Sequence, residues 1–542
     1  MMLKLFALLF FCFTSTVFAQ NHAANLKQVI QFEKAEKSVV LLNNQNNTIP
    51  LIGLNKLRIA SVHFNFKQAD IFDGIANKYW KIESFNADTI RNNQNFNALH
   101  DELKLYNTVI LELSAASSIT SALKSFINDL ESNTQLIIVL AGSDKNLSQL
   151  DKVKSPIIYY PEDNSDGASI AAQVIFGGIA LNNRLDQNYS VNHKKGAGFS
   201  TQKIRLGYSL PEAVTLNSDV LKGIDSIVNK GIATHSSPCV VVLLAKDGKV
   251  IFHKAYGKHT YNGAETTKLD DIFDMASVTK VTATVPMVMA LYDKKQLSLD
   301  SPISKYVAVT RNLADKNSII IREALLHEAG YTPYIKFYER LKSSDMSVDS
   351  SAAYPTKVAD HYYLRANYFK EVMWPVMLQS KVETHGKYVY SDISMYMMKE
   401  VVEEITHQKL NDFVLNELYL PLGMQSSGFL PRNRFPKSRI VPTTENDNWF
   451  RNMLVQGYVN DPGAAMAGGV EGHAGLFSNA NDLAIFYQML LNKGSYGGQK
   501  FYDPATVDLF TSRQSKTSWR GLGYDKYNSS TKLPSAYASE QA

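Results

Sequence analysis

Cysteine is all but absent: the 542 residues hold only Cys12 and Cys239. Cys12 lies in the N-terminal apolar stretch, so a chain processed after that stretch keeps Cys239 alone and can form no internal disulfide. There is no cysteine cluster and no paired-histidine helix motif, so the spacing gives no reason to expect a metal site. Charge is equally thin. A net +5 over 542 residues, with no basic block, argues against nucleic acid as a partner. No glycine-rich phosphate loop follows any strand-like run, which removes the usual nucleotide site, and no cofactor is expected. No internal repeat is visible.

What is present begins with an export signal. Met1-Met-Leu-Lys4, the apolar Leu5 to Phe13 and then Thr14 to Ala19 read as a secretory signal peptide over 1–19, with Val17-Phe-Ala19 as a small-residue cleavage site. The apolar run is short for a bilayer span. The expectation is a periplasmic or secreted protein with no stable membrane span after cleavage. Cys12 follows Phe11, a poor context for lipid attachment. At 542 residues, 45% hydrophobic and 20% charged, the chain has the composition of a soluble globular protein of two or more domains.

Residues 24–185 alternate helix and strand. A helix is expected over Ile30 to Val39, and strands at Leu57 to Val62, Thr108 to Leu113, Leu136 to Leu140 and Ile157 to Tyr160. Helix-length segments lie between and after them, notably Ser118 to Glu131 and Ala168 to Phe176. This order predicts α/β architecture, a mainly parallel sheet covered by helices. Residues 186–212, with Lys194-Lys-Gly-Ala-Gly198 and little periodicity, read as a linker. Residues 213–542 form the second predicted domain. It opens with a helix over Leu216 to Ile232 and a hairpin from Val240 to Phe252 around Asp247-Gly248. An aromatic-rich stretch at 333–374 could wall a cleft or form a cap with its own small core.

The chemistry centres on Ala276-Ser277-Val-Thr-Lys280, at the start of the apolar run Val281 to Leu291. Residues i and i+3 share a helical face, so the Lys280 ammonium can lie beside the Ser277 hydroxyl. The helix N-terminus adds a positive field, and a serine needs such help to become a nucleophile. The same spacing recurs at Ser121/Lys124, Ser200/Lys203 and Ser529/Lys532 without that context.

Further boxes follow: Leu325-Leu-His-Glu-Ala-Gly330, Tyr390-Ser-Asp392, Pro421-Leu-Gly-Met424, Gly472-His-Ala-Gly-Leu-Phe-Ser478 and Asn481-Asp-Leu483. In this order, over about 213–530, the chain resembles serine hydrolases of the class C β-lactamase and D-Ala-D-Ala carboxypeptidase type. The resemblance implies an α+β domain, an antiparallel sheet flanked by helices. It also implies acyl-enzyme chemistry on a small ester, lactam, amide or cell-wall peptide. Ser277 would attack a carbonyl, with its own N–H as one oxyanion donor. Lys280 would position and activate Ser277 or take its proton, and Tyr390 would act as second base or acid. Asp392 is placed at the substrate, where many relatives carry asparagine. A carboxylate cannot donate to a substrate carbonyl, so Asp392 points away from efficient lactam turnover. As a structural residue it could instead cap the helix starting near Ile393. His327 and His473 are expected to be structural, and Asp461 to shape the loop Val459 to Ala465.

Two features depart from the expected pattern. The third box of such hydrolases, Lys or His followed by Thr or Ser and Gly, has only Lys516-Thr-Ser518 as a near match, so the expectation is a chain truncated at its C-terminus, with a degenerate enzyme that never had the box as the alternative. At the other end, Ala35 to Leu51, Gln173-Val-Ile-Phe-Gly-Gly178 and Asn183-Arg-Leu185 resemble the C-terminal α/β domain of family 3 glycoside hydrolases, at 24–185. The catalytic aspartate of those enzymes lies in a barrel for which this chain has no room, so glycosidase activity is not expected. The alternatives kept open are a groove-binding protein for peptidoglycan or carbohydrate, and a relative of β-N-acetylhexosaminidase fusions. The sequence does not set the oligomeric state.

Overall fold

The computed structural model describes residues 22–90, 96–142 and 144–526. The expected signal peptide at 1–19, Ser529/Lys532 and the C-terminal residues from 527 lie outside that range.

The N-terminal part is built on six strands: β1 (Val40–Leu42), β2 (Ile59–Phe64), β3 (Ile82–Asn86), β4 (Thr108–Leu113), β5 (Gln135–Ala141) and β6 (Ile157–Tyr160). Their order is β1-β6-β5-β4-β2-β3, with β1 antiparallel to β6 and every other pairing parallel. Strands β2, β4 and β6 are buried along their whole length, as expected of a sheet covered on both faces. Helices Ala69–Ala76 and Ser165–Phe176 pack against each other, and Ser121–Asn133 contributes its apolar stripe to a separate core.

Two strands differ from expectation. The helix runs over His22–Glu36, not Ile30 to Val39, because Val40-Leu41-Leu42 pairs with β6 as a strand. A short apolar run suits either state until it finds a partner. Strand β3 has the burial of a solvated edge, with only Ile82 fully covered, and so carries no apolar signature.

Residues 186–212 are no loose tether. Gly207–Tyr208 (β7) adds to a three-stranded sheet in the order β7-β9-β8, with β8 at Cys239–Lys246 and β9 at Lys249–Gly257. The Gln173 amide pairs with the Tyr208 backbone, accepting its N–H at 2.7 Å and donating to its carbonyl at 3.1 Å. Buried Arg205 donates to the carbonyls of Leu51 and Phe176, each at 2.7 Å. The β8–β9 hairpin turns at Asp247 (φ 52°) and Gly248 (φ 69°). Two successive positive φ angles define the turn whose twist suits a two-residue hairpin.

The apolar run after Ser277 forms the central helix, but not a uniform one. Lys280–Thr284 is π-helical and Val285–Asp293 is α-helical. Pro286 has no N–H to return to Thr282, and the Tyr419 hydroxyl instead donates to the Thr282 carbonyl at 3.0 Å. A local widening at that proline follows.

Candidate active site

Ser277 sits in a tight turn between a strand end and the central helix. Phe273–Asp274 pairs antiparallel with Phe477–Ser478, and Met275 N–H donates to the Leu476 carbonyl at 2.9 Å. The chain then reverses through Ala276, whose φ of 44° is left-handed, a cost of roughly 1 kcal/mol or more for a residue with a Cβ. The turn is held from both sides. Asp274 accepts the Ala276 N–H at 2.9 Å, while Thr279 Oγ1 donates to the Ala276 carbonyl at 2.6 Å and accepts the Leu476 N–H at 3.1 Å. Thr279 is buried and Ser277 exposed, so the turn presents Ser277 at the surface.

Lys280 is the hub. It is 3% exposed, and its ammonium reaches Ser277 Oγ at 2.9 Å, the His473 carbonyl at 3.2 Å and Asp392 Oδ1 at 2.8 Å. The Asp392 contact has ion-pair distance without hydrogen-bond geometry. The ammonium also lies 5.0 Å from the centre of the Tyr390 ring, within cation–π range. The fold therefore brings together all four residues the sequence singled out: Ser277, Lys280, Tyr390 and Asp392. The helix near Ile393 is not capped by Asp392. It spans Asp392–Thr406, Ser391 occupies the cap position but donates its hydroxyl to the Thr332 carbonyl at 2.7 Å instead of capping, and the Asp392 carboxylate turns to Lys280.

Both histidines are expected from the sequence to be structural, and the structure places them differently. His327 is 1% exposed, accepts the Ser391 N–H on Nδ1 at 3.2 Å and packs on the Tyr390 ring with centroids 4.5 Å apart. Burial, with the Arg520 and Lys280 cations nearby, pushes its pKa down to about 3, so it is a neutral strut. His473 comes closer to the chemistry. Its carbonyl receives Lys280 and its ring bonds Asp461 at 2.9 Å. Asp461 caps the helix Pro462–Met466 by accepting the Ala464 N–H at 2.7 Å. Burial alone would raise the Asp461 carboxyl, but the His473 ring, the Ala464 N–H and Lys280 hold it below the usual carboxylate range. Gly472 is required where it stands: a Cβ there would lie 2.0 Å from the Met395 carbonyl.

Asp274, Thr279 and the His473 carbonyl are parts of the site whose roles the sequence left open. Asp461, expected to shape the loop Val459 to Ala465, caps a helix within it. Asp274 is pushed up to about 6 by burial, against two backbone N–H bonds and with Asp461 adding to the rise.

The segment 333–374 has no separate core of its own, because its buried side chains join the same continuous core as the central helix. Phe337, Val358, Leu364 and Tyr368 are buried within it, and Tyr338 packs on Trp449 at 4.8 Å between ring centres. At its start, the Pro333 carbonyl accepts the Asp392 N–H at 2.9 Å, and burial raises the Tyr334 phenol, with Asp461 and Asp392 adding to the rise. Lys516-Thr-Ser518 lies in no strand. Thr517 Oγ1 donates to Glu328 Oε1 at 2.6 Å, Ser515 bonds the same oxygen, and Lys516 points to solvent. The box after Pro421 and the box at Asn481 meet at Asp482, which accepts the Ser426 N–H at 2.8 Å and the Ser427 hydroxyl at 2.9 Å.

The β-lactamase family profile matches residues 224–532, and the chain belongs to that family of serine hydrolases. It is 29% identical over 341 residues to an N-acetylmuramyl-L-alanine amidase of Bacillus subtilis, covering 59% of this chain and 73% of that one. It is 26% identical over 349 residues to an Escherichia coli K12 protein named for D-alanyl-D-alanine carboxypeptidase activity, covering 60% and 76%. Among solved structures, similarity extends to a class C β-lactamase of Rhodobacter sphaeroides (14% identity, 55% and 73% coverage, TM-score 0.37). FmtA of Staphylococcus aureus is similar at 16% identity, 56% and 73% coverage and TM-score 0.40.

Proposed function

We propose that the chain is an exported acyl-transferring hydrolase in which Ser277 is the nucleophile, acting on an ester, amide or cell-wall peptide. The observation that carries this reading is the 2.9 Å contact between Lys280 Nζ and Ser277 Oγ at an exposed, tightly held turn. An ammonium has three protons to donate. Here two go to Ser277 Oγ and the His473 carbonyl, and the charge lies 2.8 Å from Asp392 Oδ1. In this arrangement Lys280 acts as a fixed positive charge and not as a base, stabilising the developing alkoxide. The proton leaving Ser277 passes to Tyr390, which accepts it as the phenolate beside the same ammonium. Ser277 Oγ then bonds the carbonyl carbon, the bond to the leaving oxygen or nitrogen breaks, and Tyr390 returns the proton to the leaving group. Water later cleaves the acyl-enzyme. The Ser277 N–H supplies one oxyanion donor.

The cell-wall relatives and the expected signal peptide support action outside the cytoplasm on peptidoglycan-derived peptides. A second reading, a groove that binds such ligands with little turnover, draws on Asp392. Its carboxylate offsets the charge of Lys280 and offers a substrate carbonyl no donor. The experiment is a turnover panel of activated esters, peptides ending in D-Ala-D-Ala and a cephalosporin, run beside Ser277→Ala. Ester or peptide hydrolysis lost in the variant supports the hydrolase. Saturable ligand binding without turnover in either protein favours the binding reading.

A further inference from the structure

A second polar centre lies in the N-terminal sheet, remote in sequence from Ser277. Strand order there reverses between β2 and β4: the chain goes from β2 out to β3, returns to β4 on the other side of β2, and continues through β5 to β6. Sheets of this kind place their ligands at the carboxyl ends of the strands flanking that reversal. His63 and Glu112 are the penultimate residues of β2 and β4 and stand opposite each other in register.

Helix Ala69–Ala76 lowers Asp73 onto the same face. His63 Nε2 lies 3.0 Å from Asp73 Oδ2 and 3.1 Å from Ser84 Oγ, while His63 Nδ1 contacts Glu112 Oε2. Ser61 Oγ reaches Asp73 Oδ1 at 2.7 Å and Glu112 Oε1 at 2.6 Å. One ligand atom from each of His63, Asp73 and Glu112 falls within 4.8 Å of the others. His63 is 5% exposed and Glu112 is fully buried.

We propose that His63, Asp73 and Glu112 form a binding site for one divalent cation of the Zn²⁺ or Mn²⁺ kind. Three arguments carry it. Two carboxylates meet one imidazole, and His63 is their ion partner among the described residues. A proton on His63 offsets one of the two negative charges, whereas a divalent cation offsets both, and burying the remainder is costly. The donor set of one imidazole nitrogen, carboxylates and serine hydroxyls is one that borderline and hard divalent ions accept. The spacing also fits. Ligands at about 2.0 Å from a tetrahedral ion lie roughly 3.3 Å apart, a few tenths beyond the distances seen around His63 Nε2.

Glu112 Oε2 at Nδ1 then fixes the tautomer that aims Nε2 at the ion, and Glu112 Oε1, 2.6 Å from Ser61 Oγ, is the oxygen it offers as ligand. Entry is open on one side, because Ser84 is exposed on edge strand β3. On the same sheet face, Tyr160 of β6 keeps a buried hydroxyl with no partner, as a polar lining group would.

The test is metal uptake by the chelator-treated full chain, followed by isothermal titration with ZnCl₂ and MnCl₂ and by the visible spectrum with Co²⁺. One equivalent is expected. Asp73→Asn, at a half-buried position, should weaken uptake at least tenfold, as should His63→Gln. Glu112→Gln should weaken it about 10- to 100-fold. Labelling of Ser277 by a fluorophosphonate should be unchanged in all three. Absence of stoichiometric uptake by the native chain would overturn the proposal and leave an imidazolium held between two carboxylates. So would uptake that survives Asp73→Asn but vanishes in Asp461→Asn, since Asp392, Asp461 and His473 also converge.

Discussion

Asp392 Oδ1 lies 2.8 Å from Lys280 Nζ, so the cation beside the nucleophile is partly neutralised before any substrate arrives. Lys280 is 3% exposed and Asp392 is half-buried, so the contact is stronger than one between two exposed charges. An amide at this position would keep the packing, release the ammonium's field toward Ser277 and Tyr390, and give a donor to a substrate carbonyl.

Asp392→Asn is therefore expected to speed acylation of Ser277 by about tenfold, on the order of 1.4 kcal/mol in the barrier. Lactams should gain more than esters. Stopped-flow acylation by a chromogenic ester and a cephalosporin measures both. A slower variant with intact folding would mean that Asp392 is itself needed, as a proton relay or a substrate anchor.

Tyr390→Phe separates the two proton-transfer schemes. If Tyr390 takes the Ser277 proton, kcat should fall by about 10²- to 10⁴-fold with KM little changed. If Lys280 were the base, the variant would lose much less. Lys280→Ala should abolish acylation under either scheme.

The widened turn at Pro286 leans on one hydroxyl. Tyr419→Phe removes the donor to the Thr282 carbonyl in a fully buried setting and should lower stability by about 1–2 kcal/mol. Urea denaturation would show a shifted midpoint with an unchanged slope. An unaltered midpoint would mean the carbonyl is already satisfied within the helix.

His327 predicts an acid-sensitive fold. Its folded pKa is about 3 against an ordinary value of 6.5, so the unfolded chain binds a proton in that window and the folded chain does not. The contribution is fully present above pH 6.5 and is lost as pH falls toward 3, at up to about 1.4 kcal/mol per pH unit. Glu471 has the opposite sign. Burial, against the Lys399 ammonium, raises it to about 7, so its contribution falls as pH rises from 4.5 to 7. The informative quantity is thus the difference between the native chain and His327→Gln across pH 5–7. The native chain should have the steeper rise, and parallel curves would contradict the assignment.

The parts most legible in the sequence were those carried by local pattern. The β8–β9 hairpin was visible in Asp247-Gly248 between apolar runs, and four strands of the N-terminal sheet, β2, β4, β5 and β6, were visible as short apolar stretches. Ser277, Lys280, Tyr390 and Asp392 were named from spacing and box order, and the fold does bring them together. What stayed hidden depends on distant partners. Val40–Leu42 is a strand only because β6 lies beside it, and β3 is too polar to announce itself. Thr279, Asp274 and the His473 carbonyl act through backbone bonds that no side-chain pattern encodes. His63, Asp73 and Glu112 are spread over 49 residues and meet only through the parallel register of β2 and β4.

The central claim is that Ser277 is an assembled nucleophile, and intact-mass analysis of the folded chain after a fluorophosphonate tests it most directly. One adduct per chain, absent from Ser277→Ala, is the predicted result. A folded chain that takes up no label, or takes it up equally in Ser277→Ala, would contradict it.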